Sequence, residues 1–595
     1  MLSKKYYLIK IFFCYFLLAY SGPTQRCIAL PIYGQFFIKE KYIEFVIFNY
    51  AWNTSNYQKF CKLALTEHPR VATEFLYQML KDCNSDSLIK LFIQDIYDIL
   101  SVNERKSLLK LNKRDQCNWI IRFWRKVDPT PATLANERLI EHYQRLHIAR
   151  TRYRSPQPRG YDDRGMIYVR YGEPDDTYYS NMGEFTRGNE SWIYHRLKDV
   201  SFDFIEYGGL YYLVDDLRKA IVAPPNDATH QLRQWTELFL ERQDLGIRYQ
   251  IVAVSLLNKL NNIAQGQSAD DIIRYEYIEK NEQLKVELPQ QVSNFRLKKK
   301  PLAFVTADAV FMQRKRPERP ANVFETKFYS GNESSKSSMA TTRLELYYAL
   351  LLKKLNSKML FDAKRPAKVL LAFAVYNKSN DLLLQKEDSL FLDLSAVFAQ
   401  KDYLGQLTFF LEPDTYRVAL DIQSPQTNQR GMMQMLVAVP EFPQDRLSLS
   451  DIELASIVRP ASPEDKEKGF IKNNLYVRPY PYRVVVRQQP IFVYFEIYGL
   501  FLDESGTARY RVTYEVEQKG PSGVLALLSA LNPFGGKKSS LSLSYDYTSS
   551  NRYVPQYTSL DFSGLEPGEH TLVVRVRDLV AGLEVQKSIR FKILQ

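Results

Sequence analysis

Between residues 36 and 126, apolar residues recur every three to four positions, as in SNYQKFCKLAL, VATEFLYQML and SLIKLFIQDIYDIL. That period gathers them on one face of a helix and predicts a small helical bundle. CNWIIRFWRKVDPTPATLANERLIEHYQRLHIARTRY extends it by two helices. The first carries Trp119, Phe123 and Trp124 and stops at DPTP, because Pro129 disfavours helical backbone at Asp128. Thr130 then offers a capping hydroxyl and Pro131 a first-turn proline, so the second helix is expected to restart there. Its stripe runs through Ala132, Ala135, Leu139, Tyr143, Leu146, Ala149 and Tyr153, with Glu141 and Arg145 paired outside it.

The period then changes. In GYDDRGMIYVRYGEPDD, residues 160–176, the run MIYVRY alternates between two glycine-closed turns and reads as a strand with Ile167, Val169 and Tyr171 inward. With SFDFIE (201–206) and LYYLV (210–214) it is expected to form a small antiparallel sheet backed by the helices. Residues 229–263 read as helix again. Beyond 340, strand-length runs follow one another: TRLELYYALLL, KVLLAFAVYN, SLFLDL, LGQLTFFL, YRVALDIQ and MMQMLVAV. A second set comprises PIFVYFEIYGL, RYRVTYEVEQ, SLSLSYDYT, HTLVVRVRD and VQKSIRFKIL, and the passage NNLYVRPYPYR (473–483) is expected to separate the two. Both sets contain a Leu-Glu-Pro turn, at 411–416 and 565–570, so two related immunoglobulin-like β-sandwiches are predicted.

At 595 residues the chain needs several cores. The pattern predicts a multidomain α+β protein: residues 1–21 a signal peptide, 22–112 a helical N-terminal region and 113–222 a small α+β module. A helical and mixed connection over 223–340, a sandwich over 341–460, a linker over 461–475 and a second sandwich over 476–595 follow. The N-terminus supports the first assignment. MLSKKYYLIK is basic, IFFCYFLLAY is apolar but short for a membrane span, and Ala19-Tyr20-Ser21 suits a signal peptidase. Export to the periplasm, the outer membrane or the medium is expected. Of the five cysteines, Cys27, Cys61, Cys83 and Cys117 would remain, free or bridged in a connectivity that spacing does not set.

The formal charge is +13, but its basic runs, such as RLKKK and RKRPER, lack the aromatic interleaving of a nucleic-acid site. No zinc, nucleotide-binding, nucleophile-elbow or calcium-loop motif occurs, and no cofactor is expected. His142 and His147 are five apart, off a common helix face. Asp162, Asp163, Glu173, Asp175 and Asp176 would lie at opposite ends of a strand roughly 20 Å long. Two further stretches invite a contact reading. The apolar GVLALLSALNPFGG (523–536) is either a helix buried in its own domain or a membrane- or partner-facing tip. VYFEIYGL is either a half-buried strand or a sugar-stacking face.

The stretch FWRKVDPTPATLANERLIEHYQRLHIA…DRGMIYVRYGEPD resembles the GWxTD-domain family of exported bacterial proteins. The matching residues are Phe123, Trp124, Asp128, Pro129, Thr130, Pro131, Asn136, Glu137, Asp163, Arg164, Gly165, Tyr171, Gly172, Pro174 and Asp175. Aligned on Asp163, the tryptophan of the family's name falls on Gly160 and the threonine on Asp162. The resemblance implies export and a β-rich C-terminal half, with no activity to carry over. The expected role is a non-enzymatic envelope protein that binds protein partners or acts as a scaffold. A glycan-binding protein using exposed tyrosines and a carboxylate hydrolase centred on the 113–222 module are the alternatives. Arg164 is expected to pair with Asp128 or Glu137.

Overall fold

The computed structural model describes residues 54–66, 68–180, 186–222, 228–266, 300–301, 305–313, 323–325, 342–351, 367–392, 402–425, 429–443, 446–466, 470–518 and 541–595. The expected signal peptide, Cys27 and the apolar run 523–536 lie outside the described residues.

Among the described residues five α-helices come first: α1 (Thr54–Ala64), α2 (Pro69–Lys81), α3 (Asp86–Ile96), α4 (Val102–Leu109) and α5 (Lys113–Lys126). Their apolar stripes bury Phe60, Phe75, Leu76, Met79, Leu80 and Phe92. Ser101 and Glu104 form a reciprocal capping box at the start of α4. Cys61, Cys83 and Cys117 are unbridged, the last two buried.

The next helix, α6 (Glu137–Arg152), begins later than Thr130-Pro131 suggested. Asp128 Oδ1 accepts the Thr130 N–H at 2.9 Å, and the Thr133 N–H returns to the Thr130 carbonyl, so this segment is a turn. Asn136 is the true cap, accepting the Leu139 N–H at 2.9 Å. Its amide nitrogen also reaches the Trp124 carbonyl at 2.7 Å, fastening the end of α5 to the start of α6. Ala132 and Ala135 therefore do not belong to the α6 stripe.

MIYVRY is not a strand but most of a helix, α7 (Asp163–Tyr171). The Asp162 carboxylate accepts the N–H groups of Arg164 and Gly165 at 3.0 and 3.3 Å, and Gly172 leaves the helix with φ +79°. The two presumed turns are the helix's two ends. Ile167, Tyr168, Val169 and Tyr171 are all buried, which one face of a short strand could not achieve. At Gly165 an added Cβ would lie 2.6 Å from Tyr161 Cβ. Gly165→Ala is accordingly expected to cost about 1–3 kcal/mol by overpacking. Urea melts would read this, and an unshifted midpoint would mean that Tyr161 swings aside freely.

Strands β1 (Asp176–Ser180), β2 (Asn189–Tyr194), β3 (Val200–Tyr207) and β4 (Leu210–Val214) form an antiparallel sheet in sequential order. The period of two divides its faces. Trp192, Tyr194, Phe202 and Phe204 stack with Tyr153 and Tyr171 on the α6–α7 side. Ile193 and Ile205 pack beneath α8 (Ala228–Leu240) and α9 (Ile247–Ala264) on the other.

Four further sheets follow. Sheet I runs β10 (Leu382–Leu392), β9 (Ala367–Tyr376), β12 (Thr415–Ser424), β13 (Gln429–Ala438), β5 (Lys300–Pro301). Sheet II runs β6 (Val305–Gln313), β8 (Thr342–Leu350), β11 (Tyr403–Leu411), β7 (Val323–Glu325). Sheet III runs β14 (Ser448–Leu449), β19 (Ile491–Tyr498), β15 (Glu453–Pro460), β17 (Leu475–Pro479), β16 (Ile471–Lys472), with β22 (Val554–Leu560) also on β19. Sheet IV runs β18 (Val484–Val486), β24 (Glu584–Leu594), β23 (Gly568–Asp578), β20 (Ala508–Gln518), β21 (Leu541–Ser549). Most pairings are antiparallel; β5–β13, β7–β11 and β18–β24 are parallel.

Alternation shows how the sheets stack. In β8, Leu344, Leu346 and Tyr348 share a core with Val369, Leu371 and Phe373 of sheet I. The intervening Tyr347 packs the other way, with Ala455, Val477 and Tyr494 of sheet III. In β19, Val493, Phe495 and Ile497 join the sheet IV core. The layers therefore run I, II, III, IV. Residues 473–483, expected to separate two domains, supply β17 to sheet III, because Tyr476 and Val477 are buried in it. VYFEIYGL is likewise no sugar platform: Tyr494 and Tyr498 are 0% and 2% exposed, covered by sheet II and neighbouring segments.

Candidate functional site

The family-like residues fall into three places. The first is the turn at DPTP, which docks on the outer face of sheet I. Ala372 of β9 and Ala419 of β12 leave that face flat enough for Ala132 to pack on it. Around this contact, Tyr376 Oη donates to the Pro131 carbonyl at 2.7 Å, and Gln385 Nε2 to the Thr133 carbonyl at 2.6 Å. The Leu134 N–H donates to Glu387 at 2.8 Å, and Arg417 to the Arg125 carbonyl at 3.0 Å. Arg430 bridges Glu137 at 3.3 Å and Asp421 at 2.6 Å. At the rim Arg122 grips both oxygens of Asp381, at 2.6 and 2.9 Å. Burial, then repulsion from Glu137, raises the Asp128 carboxyl well above its ordinary range. Trp124 is fully enclosed, 5.1 Å from the His142 ring.

The second place is the start of α7. Arg164 donates to Asp162 Oδ2 through Nε and Nη2, at 3.1 and 2.8 Å, and through Nη1 to Glu190 at 3.0 Å. Its guanidinium lies 3.6 Å from the Tyr211 ring centroid. Asp128 and Glu137, its expected partners, are at the sheet I dock instead. Arg164 thus ties α7 to the strands through Glu190 of β2 and Tyr211 of β4, not to the α5–α6 pair. Asp163 pairs with Arg159 at 2.5 Å and accepts the Leu213 N–H at 2.8 Å, adding a second tie to β4.

The third place is YGEPD. Tyr171 stacks on Phe202 with centroids 5.4 Å apart, and the Gly172 carbonyl accepts from Tyr194 Oη at 2.9 Å. Arg196 gathers the loop around Pro174, donating to the Tyr171 and Glu173 carbonyls at 3.0 and 2.7 Å and to the Asp175 carboxylate. Asp163 and Asp175 thus each face an arginine, and Arg159 reaches Asp98 as well, at 3.9 Å. Among the described residues no three His, Cys, Asp or Glu side chains form a group suited to a metal ion.

The most enclosed charges lie elsewhere, between sheets II and III. Lys472 Nζ, 1% exposed, donates to Glu345 and Glu453 at 2.6 Å each and to Tyr347 Oη. Arg343 also pairs with Glu345. Burial opposes the charge on Glu345, but Arg343 and Lys472 outweigh it and hold the carboxyl down at about 2. Burial, with Glu345 nearby, pushes Glu453 up to about 7 against the pull of Lys472. Sequence reading missed this cluster. The available sign was Glu345 inside the apolar run LELYY, since a charge there requires a partner from another layer.

These ties define a class of architecture: a helical α+β module bolted through a proline-rich turn onto a stack of antiparallel sheets. Residues 84–209 match the family model of the GWxTD domain, and the chain carries that domain. No curated protein matches the chain. Among solved structures, a crystal structure of a mutant of Salmonella alpha-2-macroglobulin matches at 10% identity and TM-score 0.19. That match covers 43% of this chain and 23% of the other, and at such a score it bears on neither fold nor function.

Proposed function

We propose that the chain is an exported, non-enzymatic envelope protein that works as a scaffold or protein-interaction module. The observation carrying this reading is that the family-like acids and arginines are spent on joining one element to the next. Sheets I with II, and III with IV, are read as two immunoglobulin-like sandwiches. Supporting this, Tyr416 Oη donates to the Glu412 carbonyl at 2.9 Å, and His570 Nε2 bonds the Glu566 carbonyl at 2.7 Å. The two Leu-Glu-Pro turns thus share one contact, of the kind that pins sandwich corners. In-cell crosslinking with mass spectrometry is expected to join the chain to other envelope proteins. Crosslinks confined to the chain itself, with unaltered envelope assembly on gene deletion, would defeat the proposal.

A glycan-binding role keeps one specific support. Tyr207 and Tyr212 are 38% and 37% exposed, with ring centroids 6.0 Å apart, a surface on which a sugar ring could stack. Tyr207→Ala with Tyr212→Ala should then abolish retardation in a polysaccharide-containing gel, and no retardation of the wild type would remove the idea.

A further inference from the structure

Cys83 sits in the corner between α2 and α3, just after the last turn of one and before Ser85, the cap of the other. Two contacts fasten this corner to the start of α5, one on either side of Cys83. Arg114 donates to the Lys81 carbonyl at 3.0 Å, and Lys113 pairs with Asp86. Cys117 follows those two anchors by three and four residues, which puts it on the same face of α5 as they are. The Cys117 thiol donates to the Cys83 sulfur, and Cys83 Sγ donates to the Ser85 carbonyl at 3.8 Å. Both cysteines are buried. Cys61 lies elsewhere in the bundle, its sulfur accepting from Tyr57 and facing Asp95 and Arg150. Spacing leaves the connectivity open; among the described residues, contact joins this one pair of thiols.

We propose that Cys83 and Cys117 close a disulfide when the chain enters an oxidising compartment, stapling the α2–α3 corner to α5. This rests on reading the protein as exported, since the same thiols would stay reduced in a cytosol. The bond forms by thiol–disulfide exchange with a protein or glutathione disulfide. One cysteine thiolate attacks that disulfide and displaces one of its sulfurs; the other cysteine then attacks the mixed disulfide and displaces the second. The two cysteines lose two protons and two electrons, and the oxidant's disulfide becomes a pair of thiols. Both sulfurs are enclosed once the bundle is packed, so the exchange belongs to the chain before α5 docks. Afterwards the same burial shields the bond from reductants. The loop it closes, residues 84–116, opens the span that matches the GWxTD domain. A link across a loop of that length removes freedom chiefly from the unfolded chain. It also anchors α5, whose far end leads into the DPTP turn that docks on sheet I.

The test takes the full-length chain from the exported fraction of a bacterial host, unfolds it in excess N-ethylmaleimide and maps its peptides by mass spectrometry without reduction. The peptides holding Cys83 and Cys117 should appear joined and unlabelled, lighter than the free pair by the mass of H2, and should separate on reduction. Cys83→Ala with Cys117→Ala should melt at least about 5 °C below wild type. Refolding in reductant should bring wild type down by a similar amount and leave the variant unmoved, which a loss of thiol packing alone would not do. Maleimide on both cysteines of the exported chain, or a bond from either to Cys61, would overturn the proposal. A second arm refolds the reduced full-length chain in a buffer of oxidised and reduced glutathione. If the pair closes there while the cellular chain is found only in the cytosol, the disulfide stands and the export reading falls. If the pair stays open there while the cellular chain is exported, the disulfide falls and the export reading stands.

Discussion

Lys472→Met is expected to destabilise the sheet stack by about 3–5 kcal/mol, the usual effect of removing one partner from a buried ion pair. The methionine fills much of the same volume, so the loss is electrostatic. Without the ammonium, Glu345 and Glu453 face each other across sheets II and III, with only Arg343 and the Tyr347 hydroxyl to offset them. The double variant Lys472→Met with Glu453→Gln should regain a substantial part, since it removes the charge left unpaired. An unaltered urea midpoint for the single variant would mean that the cluster is solvated and the layers are not closed over it.

The same cluster gives stability a pH dependence of known sign. Glu453 has a folded pKa of about 7 against an ordinary 4.5. The folded state therefore binds this proton more tightly than the unfolded chain does. Its contribution is most favourable below about 4.5 and declines as pH rises to about 7. Glu345 acts oppositely: held down at about 2, it contributes stability above 4.5 that is lost as pH falls towards 2. Glu453→Gln should flatten the first slope and leave the second, as melts from about pH 2 to 8 would show. A wild-type slope that survives Glu453→Gln belongs to another group.

The strands from residue 342 onward were legible because period-two alternation is a property of each strand alone. How the layers stack was not, because it depends on what covers the outer face of each sheet. Glu345 and Glu496 were the clues: both sit in strands whose two faces are buried. MIYVRY misled for a different reason. Its β-branched and aromatic residues favour a strand, but Asp162 before it and Gly172 after it are a helix cap and a helix stop. Those end signals outweigh propensity when tertiary packing surrounds a short helix on several sides. At DPTP the reverse happened. Thr130-Pro131 has the chemistry of a helix start, yet Asp128 captures the Thr130 N–H and the chain stays in a turn until Asn136. The motif residues themselves could be found in the sequence; Arg430, Tyr376, Glu190 and Tyr211, which hold them, are distant and ordinary in composition.

Arg164→Ala is expected to cost the GWxTD domain about 3 kcal/mol, the low end for breaking a buried pair. The side chain is 17% exposed and leaves behind Asp162, at 2%, and Glu190, at 15%. Asp162 retains its two backbone donors and the helix cap survives, which keeps the loss below that at Lys472. Lost stacking on Tyr211 accounts for about 1 kcal/mol of this. Arg164→Lys should recover only part, because an ammonium cannot donate in a fork to Asp162 and also reach Glu190 from a flat stack. Double-mutant cycles assign the partners: Arg164→Ala should couple to Glu190→Gln by about 1 kcal/mol or more and add independently to Glu137→Gln. Coupling to Glu137 instead would restore the contact with the α5–α6 pair that the sequence suggested, and would undo the link from α7 to β2.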